Sequence, residues 1–211
     1  EYGLARWTSD KPGEAAELLY PEITSLHKTT RGVQVVADRL VFASGMHVYV
    51  APAGNGQPPV KFVSSVESPV TCLAVTSQSV FAGTENGAIV GWKFETPDQP
   101  VVVVRKREPI VNLRLAKICG IPHLFYSSKE LSVRARVVGQ NLETSYESGG
   151  ATVGVLDAAS DFVCASDAAG RKLLVWKSTQ PAKPVLEVPT WKYCEKPILD
   201  VWMRKVPAKA G

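Results

Sequence analysis

Three histidines, four cysteines and a spaced set of acids are the residues of this chain best able to do chemistry. His27, His47 and His123 stand singly. None lies in a His-Glu-x-x-His run or beside a nucleophile elbow, so neither zinc hydrolysis nor acyl transfer is predicted. Cys72, Cys119, Cys164 and Cys194 are 47, 45 and 30 residues apart and form no Cys-x-x-Cys pair, which argues against a zinc site. Three of the four lie in apolar, strand-like runs and read as small buried hydrophobes. They are too few for a disulfide framework in a chain of 211 residues, so a reducing compartment, cytosol or nucleus, is expected. Asp157, Asp161 and Asp167 lack the spacing of a calcium loop and read as turn and strand-end residues. Gly54-Asn55-Gly56, between Pro52 and Pro58, is a turn and no phosphate cradle, since no helical pattern follows it. No catalytic, metal or cofactor site is expected, and the protein is not expected to be an enzyme.

The elements that would position any site follow from a phrase that recurs four times. It reads Phe42-Ala43-Ser44, Phe81-Ala82-Gly83-Thr84, Phe125-Tyr126-Ser127-Ser128 and Cys164-Ala165-Ser166-Asp167, in steps of 39, 44 and 39 residues. A period of about 40–45 residues built from short strands is the signature of propeller blades. Composition agrees: 45% hydrophobic and 21% charged residues give a chain able to bury a core. No apolar run reaches the roughly 18 residues of a membrane span, and no membrane partner is expected.

Each repeat divides into strands a to d. In the second, Val70–Val75 is strand a, Ser79–Gly83 strand b, Ala88–Phe94 strand c and Pro100–Arg105 strand d. Asn86-Gly87 supplies the tight b–c turn and Thr96–Pro100 the c–d loop. The fourth repeat has strands at Thr152–Leu156, Phe162–Ser166, Lys172–Lys177 and Pro184–Val188. The third has Ile110–Leu115, His123–Ser127, Leu131–Val138 and a short Glu143–Tyr146. The first has Val33–Val36, Leu40–Ala43, His47–Val50 and Val60–Val63. Ile198–Met203 alternates like strand a of a fifth blade. Three segments are expected: an extension at 1–32, either forming a short helix near Glu14–Leu19 or partly ordered, then blades at 33–206, and a tail at 207–211.

Thr84-Glu85-Asn86-Gly87-Ala88-Ile89-Val90-Gly91-Trp92 resembles the strand b to strand c run of the WD-repeat family. Thr84, Asn86 and Trp92 stand where that family places its hydroxyl, its turn carboxylate and its tryptophan. Ser166 and Trp176 match in the fourth repeat, with one extra residue in the turn. The chain departs from the pattern in three ways. No Gly-His dipeptide precedes a strand a, Lys93 and Lys177 replace the Asp of Trp-Asp, and the first and third repeats lack the tryptophan. The resemblance implies an all-β propeller of four-stranded antiparallel blades. With four blades and a strand visible, a partial or open ring is expected: a fragment of a longer chain, a small irregular ring, or one completed by another chain. Trp92 and Trp176 are expected to pack between neighbouring blades, and Trp202 to do the same in the orphan strand.

The resemblance also implies that d–a and b–c loops share one rim, the face most used for partners. That rim would carry Arg105, Lys106 and Arg107, then Lys129, Arg171 and Lys172, then Trp191, Lys192 and Tyr193. Trp, Tyr and Arg are enriched at binding hot spots. The leading expectation is a non-enzymatic scaffold for other protein subunits. Nucleic-acid or acidic-ligand binding through Arg105, Lys106 and Arg107 is the alternative, although a net charge of +4 is low for a dedicated nucleic-acid binder. A ubiquitin-ligase substrate receptor ranks lower, because Trp92-Lys93-Phe94 and Trp176-Lys177-Ser178 lack the Trp-Asp-x-Arg run of that class. A phosphoinositide-binding propeller would carry a Phe-Arg-Arg-Gly motif, which this chain lacks.

Overall fold

The computed structural model describes residues 4–6, 17–19, 30–53, 58–62, 64, 66–128, 133–149, 152–159, 161–193, 196, 198, 200, 201 and 203. It divides into two units, 1–107 and 108–211. In the first unit, β1 (Leu4–Arg6) pairs antiparallel with β2 (Glu17–Leu19). The sheet β3 (Thr30–Val36), β4 (Arg39–Ser44), β5 (His47–Pro52), β6 (Val60–Phe62) follows. The second sheet is β7 (Val70–Val75), β8 (Ser79–Thr84), β9 (Ala88–Lys93), β10 (Thr96–Arg105). The second unit holds β11 (Ile110–Ile118), β12 (Ile121–Ser128), β13 (Val133–Val137), β14 (Glu143–Tyr146). Its other sheet is β15 (Val153–Ala158), β16 (Phe162–Asp167), β17 (Lys172–Lys177), β18 (Leu186–Pro189), followed by a 3₁₀ turn at Thr190–Lys192. Each of these four sheets is an antiparallel meander whose spatial order is its chain order.

The recurring phrase is strand b of each sheet. Strand b has a neighbour on both sides and is buried over most of its length, so it reads as a continuous apolar run. The first two strands of each four-stranded sheet also share an irregularity. Register shifts fall between Arg31 and Gln34, Val70 and Cys72, Ile110 and Asn112, and Val153 and Leu156. Such a shift adds twist where the strand meets its turn. Glycine serves it twice: Gly32 has φ +64°, and a Cβ at Gly154 would lie 2.6 Å from the Asp167 carbonyl.

In each unit the two sheets face one another across an apolar core. Val41, Ala43, Val48 and Phe62 meet Val80, Ala82, Val90 and Trp92 in the first. Phe125, Val133, Ala135 and Tyr146 meet Val163, Ala165, Leu174 and Trp176 in the second. The expected packing of both tryptophans is present. Trp92 stands edge-on to Phe62 with centroids 6.2 Å apart, and Trp176 to Tyr146 at 6.1 Å. The partner aromatic comes from strand d of the preceding sheet and lies 30 residues earlier in both units. Arg39 adds a cation–π contact, its guanidinium 4.3 Å from the Phe94 ring centroid.

Tyr146 carries a pH dependence. It is 1% exposed and its hydroxyl donates to the Ser178 carbonyl at 2.6 Å. Burial pushes its pKa up to about 12, from 10 in the unfolded chain. A raised folded pKa gives stability that is fully present below pH 10 and is lost as pH rises through 12. Urea midpoints should therefore fall between pH 10 and 12. The Tyr146→Phe variant should lose part of that slope, and an unchanged slope would refute the assignment.

Several expectations are corrected. The helix near Glu14–Leu19 is replaced, at its described residues, by β2. The c–d loop at Thr96–Pro100 is strand: the chain turns at Phe94-Glu95, and Pro97 and Pro100 are tolerated because β10 is an edge strand. β11 and β12 run longer than expected and join at Cys119-Gly120, with φ +49° and +82°. Cys119 is therefore exposed in a turn, while Cys72 is half-buried and Cys164 buried. The described residues of 198–203 are not strand, since no neighbouring strand among the described residues offers them a ladder. The tail at 207–211 lies outside the described residues.

Candidate interaction rim

The b–c turn of the second sheet is built by one hydroxyl. Thr84 Oγ1 is 2% exposed and accepts from the Ala88 amide at 3.0 Å. Its single proton lies between Asn86 Oδ1, 2.8 Å away, and the Ala88 carbonyl at 2.9 Å. Thr84 and Asn86 thus hold the turn as their positions implied. The flanking loops tie onto it. The Glu85 amide donates to the Pro69 carbonyl at 3.0 Å, the Asn86 amide to Ser68 Oγ at 3.1 Å, and the Lys106 amide to the Gly87 carbonyl at 2.8 Å. The d–a loops and the b–c turn therefore do share a rim. Arg105 and Arg107 are exposed on it and Lys106 is half-buried.

The fourth sheet reaches the same result with different atoms. Ser166 is 1% exposed but does not hold the turn. Its hydroxyl donates to the Asp167 carbonyl at 2.9 Å and accepts from the Val155 amide at 3.1 Å, bracing strand a instead. The extra turn residue moves the capping role one place on. Asp167 Oδ1 accepts from the Arg171 amide at 2.7 Å and the Lys172 amide at 3.0 Å. Asp167 is the turn residue that its acid type and place suggested. The Thr190 amide donates to the Arg171 carbonyl at 2.8 Å, and the Thr190 hydroxyl to the Gly170 carbonyl at 2.9 Å.

That double bond brings Arg171 and Lys172 together with the turn carrying Trp191, Lys192 and Tyr193. Lys192 is exposed and Tyr193 is 80% exposed, a large aromatic held out from the surface. Lys172 is not a bare cation: its Nζ lies 2.5 Å from Glu187 Oε2. Both groups are roughly half-exposed, so the pair contributes about 0–1 kcal/mol and chiefly cancels charge. Arg171, Lys172, Glu187 and Pro189 line an open depression of about 730 Å³. Exposed Lys196 extends the basic segment, and the sequence reading missed it. Lys129 and Trp202 lie outside the described residues. Arg105, Lys106 and Arg107 belong to the first unit, Arg171 to Tyr193 to the second.

The two described histidines take structural places, and His27 lies outside the described residues. His47 is half-buried and edge-on to Tyr49 at 6.3 Å, and burial together with nearby Lys61 lowers its pKa. His123 Nδ1 lies 2.8 Å from the Ile121 carbonyl. Trp176, which is fully buried, donates from Nε1 to the Glu147 carbonyl at 3.2 Å. Sequence reasoning missed Phe62 and Tyr146 as its counterparts, although an aromatic 30 residues before each strand-c tryptophan was the available signal.

No protein-family model and no curated sequence matches this chain. Solved structures do. The computationally designed Ika8 protein superposes with a TM-score of 0.69 at 17% identity, over 85% of this chain and 54% of that one. The RRP9 WD40 repeats give 0.63 at 17% identity, covering 74% of this chain and 51% of theirs. U3-55K gives 0.63 at 18% identity, covering 76% and 52%. The chain thus spans about half the length of these structures. The fold is similar to that of WD40 and designed β-propellers, and the four meander sheets correspond to blades.

Proposed function

We propose that this protein is a non-enzymatic scaffold that holds partner proteins through the rim of its blades. The observation that carries the reading is the bracing of the fourth-sheet rim. Asp167 and Thr190 fix Arg171 beside a turn that presents Tyr193 at 80% exposure. An exposed aromatic on a hydrogen-bonded turn next to cations loses little backbone freedom on binding, which suits a hot spot. Likeness to WD40 repeats adds support at the level of fold. Cys72, Cys119 and Cys164 form no disulfide among the described residues, which favours the cytosol or nucleus.

The test is recovery of a stoichiometric complex from native extract. Arg171→Glu with Tyr193→Ala should weaken that complex by about tenfold or more, with an unchanged melting curve. Undiminished recovery, or a clean monomer from the native protein, would refute the reading. The second reading, nucleic-acid binding, draws on exposed Arg105 and Arg107. It requires affinity that falls steeply with salt and disappears in the Arg105→Glu, Lys106→Glu, Arg107→Glu variant.

A further inference from the structure

We infer, resting on the scaffold reading, that the fourth-sheet rim takes an acidic polypeptide segment, with an Asp or Glu carboxylate seated on the Arg171 guanidinium and an apolar neighbour against Tyr193. The local charges point that way. Asp167 Oδ1 is taken by the Arg171 and Lys172 amides, and Glu187 by the Lys172 ammonium. Arg171 is exposed, and among the described residues no acid pairs with its guanidinium. Exposed Lys196 has no paired acid among the described residues either.

Arg171 is also held in place before any partner arrives. Its amide donates to Asp167 Oδ1 at 2.7 Å, and its carbonyl accepts from the Thr190 amide at 2.8 Å. Binding then orders one side chain and leaves the loop as it is. A guanidinium meets a carboxylate with two parallel N–H donors, a planar match that an ammonium lacks.

The same depression discriminates between anions. Glu187 forms part of its wall, with Nζ of Lys172 already 2.5 Å from it. Asp167 stands in the turn that carries Arg171. These two carboxylates repel a second negative charge. A phosphate dianion would bring that second charge with one unpaired guanidinium to meet it. A nucleic acid would further need several phosphate contacts, and here the cations are interleaved with acids. A carboxylate brings one charge and fits the fork.

The shape favours a chain over a small acid. The depression lined by Arg171, Lys172, Glu187 and Pro189 is open, whereas small-molecule sites enclose most of their ligand. Beside it, the turn bonded to Gly170 and Arg171 presents Tyr193 at 80% exposure. A segment laid across this rim can place its acid on Arg171 and an apolar residue on the tyrosine ring.

The test couples amines to carboxylates with a zero-length carbodiimide in the complex that the full chain recovers from native extract. Arg171→Lys keeps the cation and supplies the amine. Mass spectrometry should then find an isopeptide bond from position 171 to an Asp or Glu of the partner. Arg171→Gln should weaken the complex about tenfold and Arg171→Lys only about threefold, since the second loses the fork but keeps the charge. Lys183→Glu reverses an exposed cation in the c–d loop of the same sheet and should change recovery by less than about twofold, which separates a local contact from net charge. An Arg171-dependent complex with no isopeptide bond at that position, or one lost on phosphatase treatment of the extract, would overturn the acidic segment and leave the scaffold reading standing. No complex at all would overturn both.

Discussion

Trp176→Ala is expected to cost about 3–5 kcal/mol of folding stability, read as a shift in the urea midpoint at constant slope. The indole is fully buried between the third and fourth sheets and stands edge-on to Tyr146. Its removal leaves a cavity among Phe125, Leu174 and Val163 that two braced sheets cannot close. It also strands the Glu147 carbonyl, which accepts from Nε1. Trp176→Phe separates these terms. It keeps an aromatic in the core and loses the hydrogen bond, so about 1–2 kcal/mol should remain. Trp92→Ala should approach the larger figure, since Trp92 is 3% exposed and meets Phe62 in the same geometry. A cost below about 1 kcal/mol at Trp176 would mean that the sheets are not held by this contact.

The features legible in the sequence were those that a local pattern encodes. Strand b is buried along most of its length, so its apolar phrase repeats visibly. The Asn86-Gly87 turn announces itself through residues that tolerate positive φ, and Gly87 adopts φ +82°. What stayed hidden depends on register. Lys172 looked like a rim cation, but Glu187 reaches it from strand d of the same sheet, a pairing fixed only by how β17 and β18 align. The role of Ser166 was misplaced because one extra turn residue passes the cap to Asp167. The register shifts in strand a were invisible, since alternation on either side of them is intact. The alternation of 198–203 suggested a strand, yet a strand needs a neighbour, and sequence pattern says nothing about whether one is present.

Gly154→Val should also be strongly damaging, at about 3 kcal/mol. Gly154 sits in the register shift between β15 and β16, where the two backbones approach closely. A Cβ there would lie 2.6 Å from the Asp167 carbonyl oxygen, 2.7 Å from Ser166 Oγ and 3.3 Å from the Ala168 Cα. Two of these are main-chain atoms, so relief requires moving the start of the b–c turn. Gly91 is the control. Its nearest neighbour is the Phe81 ring at 2.9 Å, a side chain that can rotate, so Gly91→Ala should cost less than Gly154→Ala. The Gly154 change should also reach the rim. Displacing Asp167 pulls Oδ1 from the Arg171 and Lys172 amides, and their hydrogen exchange should accelerate beyond what the global loss of stability explains. Equal costs at Gly91 and Gly154, with rim exchange unchanged, would show that the turn is not braced through strand a. The expected asymmetry would instead tie the presentation of Arg171 and Tyr193 to a glycine in another strand.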